Sequence, residues 1–401
     1  MDYSSLIKKC SKVSDFSEPI LNRIMYYAAE RNKLEQRFDL LVKRHKNVFG
    51  RLGKANQDMF KTQYIIHELF KNNGLIHKYL NHAQIKALPK EEYEYLQAQA
   101  TNPWRFTYWF VRSNPSPDFY EAVDIFTGEE FLLYSPGASR TLIDQNVLTF
   151  GGMISSNGDC YQTYGPLMGF GSFQADDIFF YAGELDPTIE TIEELTGLIE
   201  KDLFSFLLLS VYSAIPMVQH HGHEILFVLS TIDAEDFDMD SWKEAFRVEY
   251  AEEVFKMSLI ELEGFPHYAC IYFDEQQEEM TISAMTDFGY DRLVAELIRM
   301  GIDAPAEPYI RLHVSMKSAI EEITGHDPEL LPHEGLFSQA SPGQEDSPEL
   351  DAINKFLAEL MPAINSKTKF DLDELISRTG ADPDAAKEIY GDLMKKLNRC
   401  Y

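Results

Sequence analysis

The densest set of side chains able to hold a metal is His220-His221-Gly222-His223-Glu224. Imidazole and carboxylate together suit Zn²⁺, Ni²⁺ or Fe²⁺, and such an ion would activate water for a hydrolase. A metal site needs three or four donors converging on one point. In an extended chain His221 and His223 share one face, while His220 and Glu224 take the other. Completing a set then needs donors from afar, and His267 and His313 are available imidazoles. The helical HExxH spacing is missing. The segment follows Pro216 and precedes an apolar run, which reads as a connector. The expectation is that His220, His221 and His223 do not jointly bind a catalytic metal, and no cofactor is implied.

Other chemistry is thinner. Gly165–Gly171 (GPLMGFG) lacks the Lys-Ser/Thr that completes a phosphate loop, so a turn between strands is predicted. Asp176-Asp177, on a strand, would face opposite ways and could not flank one bond. No GxSxG is present. Cys10, Cys160, Cys270 and Cys400 are far apart with no CxxC, which predicts free thiols in a reducing, cytoplasmic setting. Asp371–Arg399 has the length of a helix-turn-helix. Its final helix presents Asp384 and Glu388 where a recognition helix presents Arg, Asn or Gln, so a helical packing or interaction unit is the better reading.

These residues need elements to place them. Residues 1–100 read as a basic helical region: Ser17-Glu18-Pro19 is a start signal, and a second helix spans about Ala55–Leu80. Residues 101–185 read as a small all-β, barrel-like domain, from WRFTYWFV (Trp104–Val111) through the hairpin signal Asn157-Gly158. Residues 186–219 read as a connecting core helix. Its chargeless stretch Leu203–Val218 is shorter than the roughly 20 residues of a membrane span.

Residues 220–320 give β-α-β-β-α-β, a ferredoxin-like α+β domain. Its strands are Ile225–Ile232, Tyr268–Phe273, Met280–Met285 and Tyr309–Val314, and its helices Ser241–Met257 and Tyr290–Met300. Val294, Leu297 and Ile298 should face the sheet, and Arg292, Glu296 and Arg299 the water. Residues 321–350, with four prolines, read as a linker, and 351–401 as a C-terminal helical unit. The fold class is α+β, multidomain.

Charge sharpens the partner question. The 401 residues carry a net charge of −29. Residues 1–100 hold 17 basic and 11 acidic side chains, a surplus of six positive charges; the rest carries a surplus of 35 negative ones. An acidic body of that size repels phosphate backbones, which argues against nucleic acid as a general partner. The basic region should pack within the protein or against another copy.

Glu121–Gly158 and Gly222–Phe237 resemble a family of uncharacterised bacterial proteins that often carry a C-terminal SEC-C zinc motif. Asp124, Thr127, Gly128 and Glu129 match the family's D-x-x-TGE turn, while the later strand lacks its Gly-Asp. The likeness covers about residues 100–320. The SEC-C tail is absent, Cys400 standing alone, so its zinc site is not implied. Taken together, a non-catalytic intracellular binding or regulatory protein is expected, with a protein partner, no membrane, and homo-oligomers allowed. A metal-dependent hydrolase using His220–Glu224 and a nucleic-acid-associated protein using the basic helices are the alternatives.

Overall fold

Asp2 opens the fold, its carboxylate accepting the N–H groups of Ser4 and Ser5 at the start of α1 (Tyr3–Arg31). Such a cap is worth about 1 kcal/mol. The computed structural model describes residues 2–141, 149–213, 219–220, 222–233, 242–264, 267–331 and 333–338. Of the last stretch it describes 352–353, 355–356, 359–360, 371–383, 385–387 and 389–391. The chain divides into two compact units, Met1–Pro332 and His333–Tyr401. The expected helical, β and α+β segments all lie within the first.

The start signal at Ser17-Glu18-Pro19 is not used: α1 runs through it with Pro19 inside. Residues before the proline have packing to gain, because Leu6, Ile7 and the buried Cys10 lie against Phe119 and Tyr134 of the β domain. Then come α2 (Leu34–Arg44), α3 (Lys54–Phe70), α4 (Ile76–Tyr79), α5 (Ala83–Lys86) and α6 (Lys90–Thr101).

The next strands are β1 (Arg105–Ser116), β2 (Phe119–Asp124), β3 (Glu130–Tyr134), β4 (Thr149–Ser156) and β5 (Tyr161–Gly169). They close into a barrel in the order β1-β2-β3-β5-β4, with β3 and β5 parallel. Asn157-Gly158 turns β4 into β5 as expected. GPLMGFG is not a turn: its first five residues end β5. Gly151 of β4 has a packing reason, since a Cβ there would meet the Phe170 ring at 2.4 Å.

The β domain ends earlier than residue 185, because Ala175–Leu185 forms α7. Asp176 and Asp177 therefore stand in a helix's first turn, where acids suit the dipole, rather than on a strand. The expected core helix is broken into α8 (Ile192–Lys201), α9 (Leu203–Leu208) and a 3₁₀ turn, Leu209–Val211. Every residue of α9 is buried, whereas α8 buries only Leu195, Leu198 and Ile199. Phe204 lies 5.6–6.2 Å from the rings of Phe38, Phe49 and Phe60. One apolar core runs from Ile24 through Phe38, Leu69, Tyr108 and Tyr181 to Phe206 and Met316. The basic helices are thus packed onto the barrel. No helix among the described residues is long and apolar enough to cross a membrane.

The remaining strands are β6 (Gln219–His220), β7 (His223–Glu224), β8 (Leu226–Asp233), β9 (Phe246–Ala251), β10 (Val254–Leu259), β11 (Ala269–Asp274), β12 (Glu279–Ala284) and β13 (Ile310–His313). β8 to β13 build one antiparallel sheet in the order β13-β8-β12-β11-β10-β9. The expected hairpin forms, with Ile271 opposite Ile282.

The ferredoxin-like arrangement needs a correction. Ser241 of the helix expected over Ser241–Met257 lies outside the described residues, and from Phe246 onward the chain forms the β9–β10 hairpin instead, which adds two strands to the sheet. Glu, Ala, Lys and Met favour a helix there, but Val248 opposite Met257 and Phe246 opposite Leu259 supply an apolar face. The hairpin also pairs the otherwise free edge of β11, and such tertiary pairing outweighs local propensity.

α10 (Asp287–Arg299) covers one face, burying Tyr290, Leu293, Val294 and Leu297 against Val228, Ile271 and Ile282. Ile298, expected inward, is 56% exposed; Leu293 takes that inward stripe instead. Arg292 and Arg299 face water, and Glu296 is half-buried. α11 (Ser315–Thr324) follows β13.

In the second unit, α12 (Leu372–Thr379) packs Leu375 and Ile376 with Phe356, Leu360 and Ala386. Asp384 and Glu388 of the helix-turn-helix question, and Cys400, lie outside the described residues, as do residues 332 and 339–350 of the expected linker. The linker's described part is not structureless, since α11 runs to Thr324 and Glu334–Ser338 is a short helix.

Candidate functional site

Arg23, Tyr27 and Arg31 recur every fourth residue along α1 and so share one stripe of it. Ile24, fully buried, anchors that stripe to the core. Opposite stand Tyr79 from the end of α4, His82 from the α4–α5 turn, and Ile85 of α5. With Gln84 and Leu88 these residues enclose a groove of about 270 Å³. Its floor is apolar (Ile24, Ile85), its walls are phenol rings, and its rim is cationic.

The groove is held by short-range order. The Arg31 guanidinium lies 5.8 Å from the centre of the Tyr27 ring, and Arg31 Nη1 is 3.4 Å from His82 Nε2. Asn32, just past α1, donates to the Tyr79 hydroxyl and accepts from Lys78 Nζ at 3.1 Å. Burial pushes the Tyr79 hydroxyl above the usual phenol range, and the Asn32 donor opposes it. Tyr79 therefore stays neutral.

Among the described residues, Arg23, Arg31 and Lys78 meet no carboxylate. Lys9 pairs with Asp159, Arg37 and Lys71 with Glu68, Arg51 with Glu322 and Lys61 with Glu35. Lys8, Lys33, Lys43, Arg44, Lys46 and Lys86 likewise show no carboxylate partner among the described residues, so it is the position of Arg23 and Arg31 beside the aromatic groove that sets them apart. In a chain of net charge −29, Arg23 in the lining and Arg31 against the lining Tyr27 and His82 are cations that make a site for an anionic group, with Lys78 tied to it through Asn32. The 4-4 spacing on α1 was the available sequence signal. Nothing in the sequence tied it to Tyr79 and His82, which the helix packing brings across.

The histidine segment is arranged differently from an extended chain. Gly222 has φ +84°, which glycine adopts without a Cβ clash, and it folds β6 and β7 into a two-residue pair. His220 is thus the register partner of His223 rather than its opposite-face neighbour. His221 lies outside the described residues, as does the side chain of His220.

His223 packs edge-on against His267 at 4.9 Å, and both rings touch Phe288. His267 Nδ1 is 3.3 Å from Thr286 Oγ1. Glu224 turns to Arg311 at 3.5 Å, and Arg311 forks onto Asp287 at 2.9 and 3.0 Å. His313 is interior: its Nδ1 meets Ser315 Oγ at 2.7 Å and its ring lies against Phe173. The structure therefore brings His223 and His267 together and engages Glu224 and His313 elsewhere. Among the described residues no three His, Cys, Asp or Glu side chains converge on a metal position.

The D-x-x-TGE stretch is a turn. Buried Asp124 accepts from Thr107 Oγ1 and the N–H groups of Phe126 and Thr127, and Gly128 has φ +68°. Compared with protein-family models, with curated proteins and with solved structures, the chain matches none.

Proposed function

We propose that this protein is a non-catalytic binding protein that docks an acidic segment of a partner protein in the groove between α1, α4 and α5. The carrying observation is Arg23 in the lining of the aromatic groove and Arg31 against its Tyr27 and His82, both without carboxylate partners among the described residues. Cations on the rim attract carboxylates and set the on-rate, while Tyr27, Tyr79 and Ile85 take an apolar side chain. A volume of about 270 Å³ suits one or two side chains of a peptide better than a drug-sized ligand. Nucleic acid would use the same cations, and the acidic remainder of the chain repels any anion; it opposes a long polyphosphate more than a short peptide whose few carboxylates reach only the groove. The metal-dependent reading is weaker because Glu224 is held by Arg311. The kinship with the SEC-C-bearing proteins stays a proposal about fold over residues 100–320 and adds no reaction.

Fluorescence anisotropy of the full chain with a short dye-labelled peptide of glutamates and leucines tests the reading. Saturable binding at micromolar concentration is expected, weakened about tenfold by Arg23→Glu or Arg31→Glu. Equal affinity for a glutamine–leucine peptide, tighter binding of an oligonucleotide, or indifference to both substitutions would sink it.

A further inference from the structure

Cys10 and Cys160 are 150 residues apart in sequence, yet their sulfurs are 3.6 Å apart and buried. Cys10 lies on α1, and Cys160 ends the turn joining β4 to β5. Asn157 organises that turn. Its Oδ1 accepts the N–H groups of Asp159 and Cys160, and Gly158 takes φ +93°. Its amide nitrogen then points at both sulfurs, 3.3 Å from Cys10 and 3.4 Å from Cys160. Lys9 pairs with Asp159 beside them, and Tyr3, Leu6 and Ile7 pack on the same patch.

We propose that Cys10 and Cys160 are a peroxide-oxidisable dithiol that ties the start of α1 to the barrel.

The chemistry balances with hydrogen peroxide as the oxidant. The Cys10 sulfur attacks one peroxide oxygen, the O–O bond breaks, and a sulfenic acid and one water result. The Cys160 sulfur then displaces that hydroxyl as a second water, forming the S–S bond. Two thiols and one peroxide yield one disulfide and two waters. Cys10 suits the first role: the Cys160 thiol hydrogen bond holds it below the usual thiol range against burial, aided by the Asn157 amide and Lys9. Cys160 is pushed up by the same contact and by burial, so it is the second sulfur to react, and the proton it loses leaves with the displaced hydroxyl as water. Closing the gap to a bond of about 2.05 Å takes a shift of roughly 1.6 Å, within reach of a turn and a helix start.

Peptide mapping of the full chain tests this. The protein is treated with equimolar hydrogen peroxide, then unfolded and alkylated. The expected product is one cross-linked pair joining Cys10 to Cys160, two hydrogens lighter, with Cys270 and Cys400 alkylated and with full reversal by dithiothreitol. Amide exchange over residues 6–14 should slow at least about tenfold in the oxidised form. Cys160→Ser should stop at a sulfenic acid on Cys10 that dimedone traps. Asn157→Ala, checked for an unchanged unfolding midpoint, should oxidise about tenfold more slowly. A cross-link through Cys270 or Cys400, sulfinic acid without cross-link, unchanged thiols, or unaltered exchange would each overturn the proposal. The wild-type map alone decides it if the variants fail to fold.

Discussion

Asp177 shows how one carboxylate can oppose its own surroundings. It accepts the N–H groups of Gln174 and His313 at 2.8 and 2.7 Å and lies near Arg311, all of which favour the anion. Burial outweighs them and pushes its carboxyl up to about 6. Between its unfolded value near 4 and that value, the native state holds a proton that the unfolded chain has released. Its contribution is complete below pH ~4 and is lost as pH rises through ~6, a span of ~3 kcal/mol. His67 runs the other way. Burial, then Lys71, presses its imidazole down to about 3, so its contribution is present above the ordinary histidine range and is lost as pH falls. The two offset in the wild type and separate in a variant. Asp177→Asn should gain stability over wild type between pH 4 and 7, by up to ~3 kcal/mol in urea unfolding. Parallel pH profiles would show that Asp177 is ionised throughout.

At the scale of elements, the β9–β10 hairpin turns on Glu252 and Glu253, both at positive φ (49° and 66°). Ala251 opposite Val254 makes it a two-residue loop, the setting where Asn-Gly is preferred. Two glutamates there carry strain, partly offset by Glu253 accepting from Gln276. Replacing Glu252-Glu253 by Asn-Gly should raise stability by about 1 kcal/mol, read as a higher urea midpoint. A lower midpoint would mean that the Glu253–Gln276 contact outweighs the turn strain. The same pair explains why the hairpin was hidden: Ala-Glu-Glu inside a mixed-polarity run reads locally as helix, while β11 and β12, with dense apolar residues and a polar turn, were plain.

For the whole molecule the governing quantity is the net charge of −29. Repulsion among surplus carboxylates disfavours the compact state and fades with salt, as the Debye length falls from ~30 Å at 0.01 M to ~8 Å at 0.15 M. Surface ion pairs such as Arg292–Glu261 and Arg378–Glu359 lose little over that range, being worth at most ~1 kcal/mol each. Tm should therefore rise by a few degrees between those salt concentrations, while peptide affinity at the cationic groove falls. A Tm that falls with salt would place attraction, not repulsion, in charge.

Local patterning alone determined a good part of this protein. The helical first hundred residues, the short strands after Trp104, the Asn157-Gly158 turn and the apolar stripe Val294–Leu297 all follow from propensity and period, which act within a few residues. Packing decided the rest. α1 passes through Pro19 because distant Phe119 and Tyr134 bury its first turns. Residues 246–259 are strands because β11 offers them an edge. The groove and the thiol pair exist because contacts at separations of about fifty and 150 residues bring Tyr79 to Arg31's helix and Cys160 to Cys10. No spacing rule spans such distances: which residues meet across them is set by how helices and sheets share one core, a property of the folded chain and not of any stretch of it.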